Sequence, residues 1–135
     1  MSGIYTQYKR FLVTGTADII ADDIRCIPLS TGYTFDATHL TLADVPLASR
    51  YSAVTPIVLS NKIWATFNDR VAFDADDVTF PAMNEAEPVG GFLIYNHTND
   101  VLVAYIDSAP NLPLQTDGRN VVIVWSNESN RIFSW

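Results

Sequence analysis

The segment Gly91-Phe92-Leu93-Ile94-Tyr95-Asn96-His97-Thr98-Asn99-Asp100-Val101-Leu102-Val103-Ala104-Tyr105-Ile106 decides the fold class. Two runs rich in β-branched, aromatic and aliphatic residues, Gly91 to Tyr95 and Val101 to Ile106, flank the polar stretch Asn96 to Asp100. That pattern is a β-hairpin, the strongest in the chain. On its C-terminal side, Asp107 to Arg119 contains Pro110, Pro113 and Gly118, which predicts a connection crossing between sheets. Val121 to Trp125 then reads as a buried strand. Ser126 to Asn130 is a polar turn, and Arg131 to Trp135 returns as a last strand.

Upstream the same grammar repeats. Val78-Thr79-Phe80 is a short strand closed by Pro81, and Met83 to Pro88 is a polar loop. Phe67 and Val71 flank a reversal at Asn68-Asp69-Arg70. Ile57-Val58-Leu59 and Ile63-Trp64-Ala65 flank Ser60-Asn61-Lys62, which predicts a tight hairpin. Leu40 to Asp44 fits one helical turn, stopped before Pro46. Asp18 to Leu29 reads as one strand or two short ones, and Pro28 argues for an edge or a strand terminus. Ser30-Thr31-Gly32 is a turn signal. Only the first segment has helical periodicity: Ile4, Tyr8, Phe11 and Leu12 share one face, with Ser2 as N-cap and Gly15 as stop. Its apolar face either plugs the core or docks on a partner.

Short strands with turn signals every ~8–12 residues predict a mostly β protein. The expected fold is an antiparallel β-sandwich or barrel with a short N-terminal helix. The 135 residues fit one domain, spanning the whole chain. The chain is 48% hydrophobic but only 17% charged, against a typical ~25% charged. So few charges suit a protein that hides part of its surface against neighbours.

The 15 acidic and 8 basic residues give a net charge of −7. A field of that sign repels phosphate backbones, and the cations are scattered, so nucleic acid is not an expected partner. No apolar run approaches the ~20 residues of a spanning helix, and the N-terminus has no apolar leader core, so a membrane is not expected either. The single cysteine, Cys26, cannot form an intramolecular disulfide. Its apolar neighbours mark it as a buried small hydrophobe.

Chemistry-bearing motifs are sparse. His39 and His97 fall in polar loops with no second ligand at zinc spacing. Asp74-Ala75-Asp76-Asp77 is dense in carboxylates, yet lacks the turning Gly and closing Glu of a calcium loop. It reads as a solvated turn. No nucleophile elbow is present, and Glu85 and Glu87 lack a cleft for acid–base work. Gly90-Gly91 precedes a strand, so it is not a phosphate-binding loop. The sequence therefore yields no catalytic, cofactor or metal residue, and no enzyme is expected. Trp64 and Trp125 read as core. The residues left for an interface are Tyr5, Tyr8 and Phe11 on the helix, with Ile132, Phe133 and Trp135 at the end of the chain.

Three groups of segments carry a family resemblance. The first is Gly32 to Leu40 running into Leu42-Ala43-Asp44-Val45-Pro46. The second is Phe73 to Ala82. The third is Leu93-Ile94-Tyr95 with Leu102 to Asp107, Val121 to Trp125 and Asn130 to Phe133. In this order, after an N-terminal helix, they resemble a group of small β proteins of tailed phages and prophages, described as minor structural, head or decoration proteins. The chain departs from that pattern in its short Asn96 to Asp100 turn. The resemblance supplies no site residues. It implies a capsid cement or decoration protein that bridges subunits of the phage major capsid protein. Such a protein is made in the host bacterial cytoplasm and located in the virion, and a homotrimer is expected from the local three-fold positions of a shell. The alternative is a neck, tail or fibre component that contacts a receptor or glycan.

Overall fold

The computed structural model describes residues 3–125 and 132–134. Strand β1 (Gly3–Ile4) leads into helix α1 (Thr6–Thr14), followed by β2 (Ile24–Ser30). Two 3-10 turns, Leu42–Asp44 and Leu47–Ser49, precede β3 (Ile57–Val58), β4 (Ile63–Phe67), β5 (Arg70–Asp74) and β6 (Val78–Phe80). The chain closes with β7 (Val89–Asn96), β8 (Val101–Ile106), β9 (Val121–Ile123) and β10 (Phe133–Ser134). All strand pairs are antiparallel. The mostly β class with one short N-terminal helix is therefore as the sequence predicts.

The β7–β8 hairpin is the centre of a five-stranded sheet ordered β1-β8-β7-β2-β3. Both faces of this sheet are covered, which explains why β7 and β8 read as continuous apolar runs. Ile24, Cys26, Phe92, Ile94 and Val101 point into one cluster, shared with Phe73, Phe80, Val121, Ile123 and Phe133 of the smaller sheets. Those smaller sheets are ordered β10-β5-β4 and β6-β9. Ile27, Leu29, Leu93, Tyr95, Leu102 and Tyr105 point the other way, into a second cluster with Tyr5, Tyr33 and Val45. A register shift sets Ile94 opposite Ala104 and Tyr95 opposite Leu102, so Val103 is the extra residue of a bulge. The bulge lets Val103 and Ala104 both serve the first cluster.

Gly90 and Gly91 lie inside β7, not before it, because two neighbours approach closely. A Cβ at Gly90 would stand 2.7 Å from Thr31 Cα and 3.0 Å from Thr31 N, both backbone. A Cβ at Gly91 would stand 2.4 Å from the Tyr105 hydroxyl. Backbone cannot step aside as a side chain can. Gly90→Ala is therefore expected to cost about 1–3 kcal/mol, read as a lower urea midpoint with an unchanged slope. An unchanged midpoint would remove the close approach as the reason for glycine.

Several local expectations are corrected. Helix α1 starts at Thr6 with Tyr5 at the N-cap position, not Ser2, which lies outside the described residues. Gly15 closes it as predicted, at φ 75° with its N–H on Leu12 O and Phe11 O. The hairpin expected at Ser60-Asn61-Lys62 does not form. There β3 pairs with β2 and β4 with β5, so this turn carries the chain from one sheet to another. Pro28 sits opposite Phe92 in a central strand, but β3 covers only Arg25 and Cys26, so β2 is locally an edge at Pro28. Met83, placed in a polar loop, is buried. The turn expected at Ser126 to Asn130 lies outside the described residues.

Candidate functional site

The six interface residues fall in different places. Tyr5 and Tyr8 are completely buried, and Ile132 and Phe133 are buried. Phe11 packs half-buried against the first cluster, and Trp135 lies outside the described residues. The apolar helix face and the last strand therefore complete the chain's own core. Phe133 pairs with Phe73 in β5. These four buried residues are corrected from interface to core.

Tyr5 enters a hydrogen-bonded chain. Its hydroxyl is 2.6 Å from the Tyr33 hydroxyl, which is 3.2 Å from Nδ1 of His39. His39 Nε2 is 3.9 Å from Asp36 Oδ2. His39, read only as a polar-loop residue, is thus a partnered group that ties the 33–39 loop to the second cluster. Burial, reinforced by the Tyr33 hydrogen bond, pushes the Tyr5 hydroxyl far above the usual tyrosine range. Burial alone pushes up the Cys26 thiol, which makes it an unreactive apolar filler.

The carboxylates are similarly engaged. Asp22 Oδ2 accepts from Asn96 Nδ2 at 2.8 Å, from Asn99 Nδ2 at 3.1 Å and from Asp18 N at 2.9 Å. This network fastens the turn before β2 to the end of the β7–β8 hairpin. Asp44 Oδ2 accepts the N–H groups of Leu40 and Thr41, which hold its carboxyl below the usual range. In the acidic segment, Asp76 Oδ2 accepts from Asn61 Nδ2 and Ser60 Oγ, and Asp77 Oδ1 accepts from Trp125 N. Asp76 O also accepts from Trp125 Nε1 at 2.9 Å. The segment pins neighbouring loops. Among the described residues no group of three or more His, Cys, Asp and Glu is placed to hold a metal ion.

The surface feature that stands out is β9. Val121, Ile123 and Trp125 face the core, as alternation requires. The opposite face, normally polar when it meets water, carries Val122, with Val124 just beyond the strand end, 55% and 70% exposed. The stretch read as a uniformly buried strand is thus apolar on both faces but buried on one. Beside it, Pro110, Leu112 and Leu114 of the crossing loop line a groove of about 540 Å³ that includes Val122 and Val124. The sequence could not separate the two faces, because an all-apolar run has no alternation to read.

No protein-family model, no curated protein and no solved structure matches this chain. Among the described residues no helix is long and apolar enough to cross a membrane.

Proposed function

We propose that the chain is a structural protein of a tailed-phage virion, a cement protein that docks through the outer face of β9 onto the major capsid protein. The observation that carries the reading is the exposed Val122–Val124 face beside the Pro110–Leu114 groove. Exposed aliphatic side chains bordering an apolar groove are the kind of surface that another macromolecule covers. The family resemblance supplies the partner, and the low charged share fits a surface partly covered by neighbours. The engaged carboxylates and buried tyrosines and thiol favour a framework role over acid–base or nucleophilic work.

A standard interface buries about 1,200–2,000 Å² in total. Repeated over a shell, modest contacts gain avidity through multiplicity. Tyr5, Tyr8, Ile132 and Phe133 are lost to the homotrimer as contacts, since they are buried in the core, so self-association also rests on the β9 face. Val122→Thr with Val124→Thr keeps the strand's shape while adding two hydroxyls to the contact. Particles assembled with this double variant should carry roughly tenfold less of the protein, equivalent to ~1.4 kcal/mol per contact, with an unchanged melting temperature. Normal occupancy would rule out the β9 face as the docking surface.

A further inference from the structure

A second concave site lies on the other side of the molecule's central sheet, and it shares no lining residue with the β9 groove. It opens where β2 becomes an edge. β3 ends its pairing at Cys26, Pro28 has no N–H to offer, and the next bridge is Leu29 with Arg50. Ile27, Pro28, Leu42, Leu47, Tyr51 and Tyr95 supply apolar walls around a volume of about 220 Å³. That exceeds the ~150 Å³ apolar cavity known to admit benzene.

Arg50 is the single charged residue in the lining. No lining residue is acidic, in a chain with 15 acidic residues, and Glu85 and Glu87 act on its Tyr51 hydroxyl from outside the lining. Arg25, Arg70 and Arg119 each face a neighbouring aspartate. Arg50 has no such partner among the described residues. Its Nε is enclosed with no hydrogen-bond partner, the one buried side-chain nitrogen or oxygen in that state among the described residues, so the terminal nitrogens are the donors left to meet a ligand.

We propose that this groove binds an apolar monocarboxylate, a hydrocarbon chain or ring bearing one carboxylate. The guanidinium fork matches a planar carboxylate, and the walls take the hydrocarbon body. A single arginine suits a single carboxylate better than a phosphate, which commonly gathers several donors. The binding is independent of the virion role and can fail without affecting it.

The test uses octanoate, 1-octanol and octylammonium as probes of the intact chain, by isothermal titration calorimetry and by amide shift mapping. Octanoate should bind at least tenfold tighter than octanol, with shifts centred on residues 27–28 and 47–56, and octylammonium should not bind. Arg50→Met should remove the preference for octanoate over octanol, and Arg50→Lys should restore part of it. Equal binding of octanoate and octanol, shifts elsewhere, or no octanoate binding to the native chain would overturn the proposal. Because the probe series is read on the native chain, the result stands even where an Arg50 variant fails to fold.

Discussion

Phe73→Ala is expected to lower the unfolding free energy by about 3–5 kcal/mol, a large share of the ~5–15 kcal/mol that stabilises a typical domain. Phe73 is fully buried in the middle strand of the β10-β5-β4 sheet. It stands directly opposite Trp64 on one side and Phe133 on the other. The ring centroids are 5.7 Å from Trp64 and 5.3 Å from Phe133, and Trp64 and Phe133 are 6.3 Å apart, so the three rings form a compact aromatic triangle. Truncation removes the most buried member of the triangle, and the other two rings, held by their own strands, cannot fill the space it leaves. Phe73 O also accepts from Ile132 N, which seats the last strand on β5. Chemical denaturation of native and variant chains reads the loss, and a change below about 1 kcal/mol would mean that this triangle contributes little packing.

The second large effect concerns pH. All six tyrosines of the chain hold their protons more tightly when folded, with burial as the leading cause in each. Tyr8, Tyr51 and Tyr105 are pushed up to about 12. For Tyr8 this holds although the Asn96 hydrogen bond pulls the other way. Unfolded tyrosine titrates near ~10. The unfolded chain therefore releases protons first, and stability present below pH ~10 is lost as pH rises from there through the folded values. Ultraviolet titration of the native chain should show almost no tyrosinate at pH ~10.5. It should then show a cooperative rise that coincides with loss of far-ultraviolet β signal. In denaturant the same titration should centre near ~10. Gradual native titration near ~10 with the fold intact would contradict the buried placement of the hydroxyls.

The sequence made the β7–β8 hairpin, the β4–β5 reversal and the Gly15 helix stop legible, because each is written in local residue choice. Connections between sheets were harder to read. Ser60-Asn61-Lys62 has hairpin composition, but Asn61 and Ser60 bond to Asp76, sixteen or fewer residues onward, and no local pattern records that partner. Tyr8 carried the signature of an amphipathic face, and an amphipathic face looks the same whether its own core or another chain covers it. The Arg50 groove was invisible for a related reason. Its lining is drawn from β2, β7 and the 42–56 segment, and only the fold brings these together. Val122 and Val124 were visible as apolar residues, but their exposure follows from which face of β9 meets Phe80 and its neighbours.

Cryo-electron microscopy of particles released by cells carrying the gene, with peptide quantification of the same preparation, tests the virion role most directly. The predicted result is density for this chain on the capsid shell, at a copy number approaching that of the coat protein, with Val122 of β9 and the following Val124 at the contact. Density confined to the neck or tail, or absence of the chain from purified particles, would contradict the cement role.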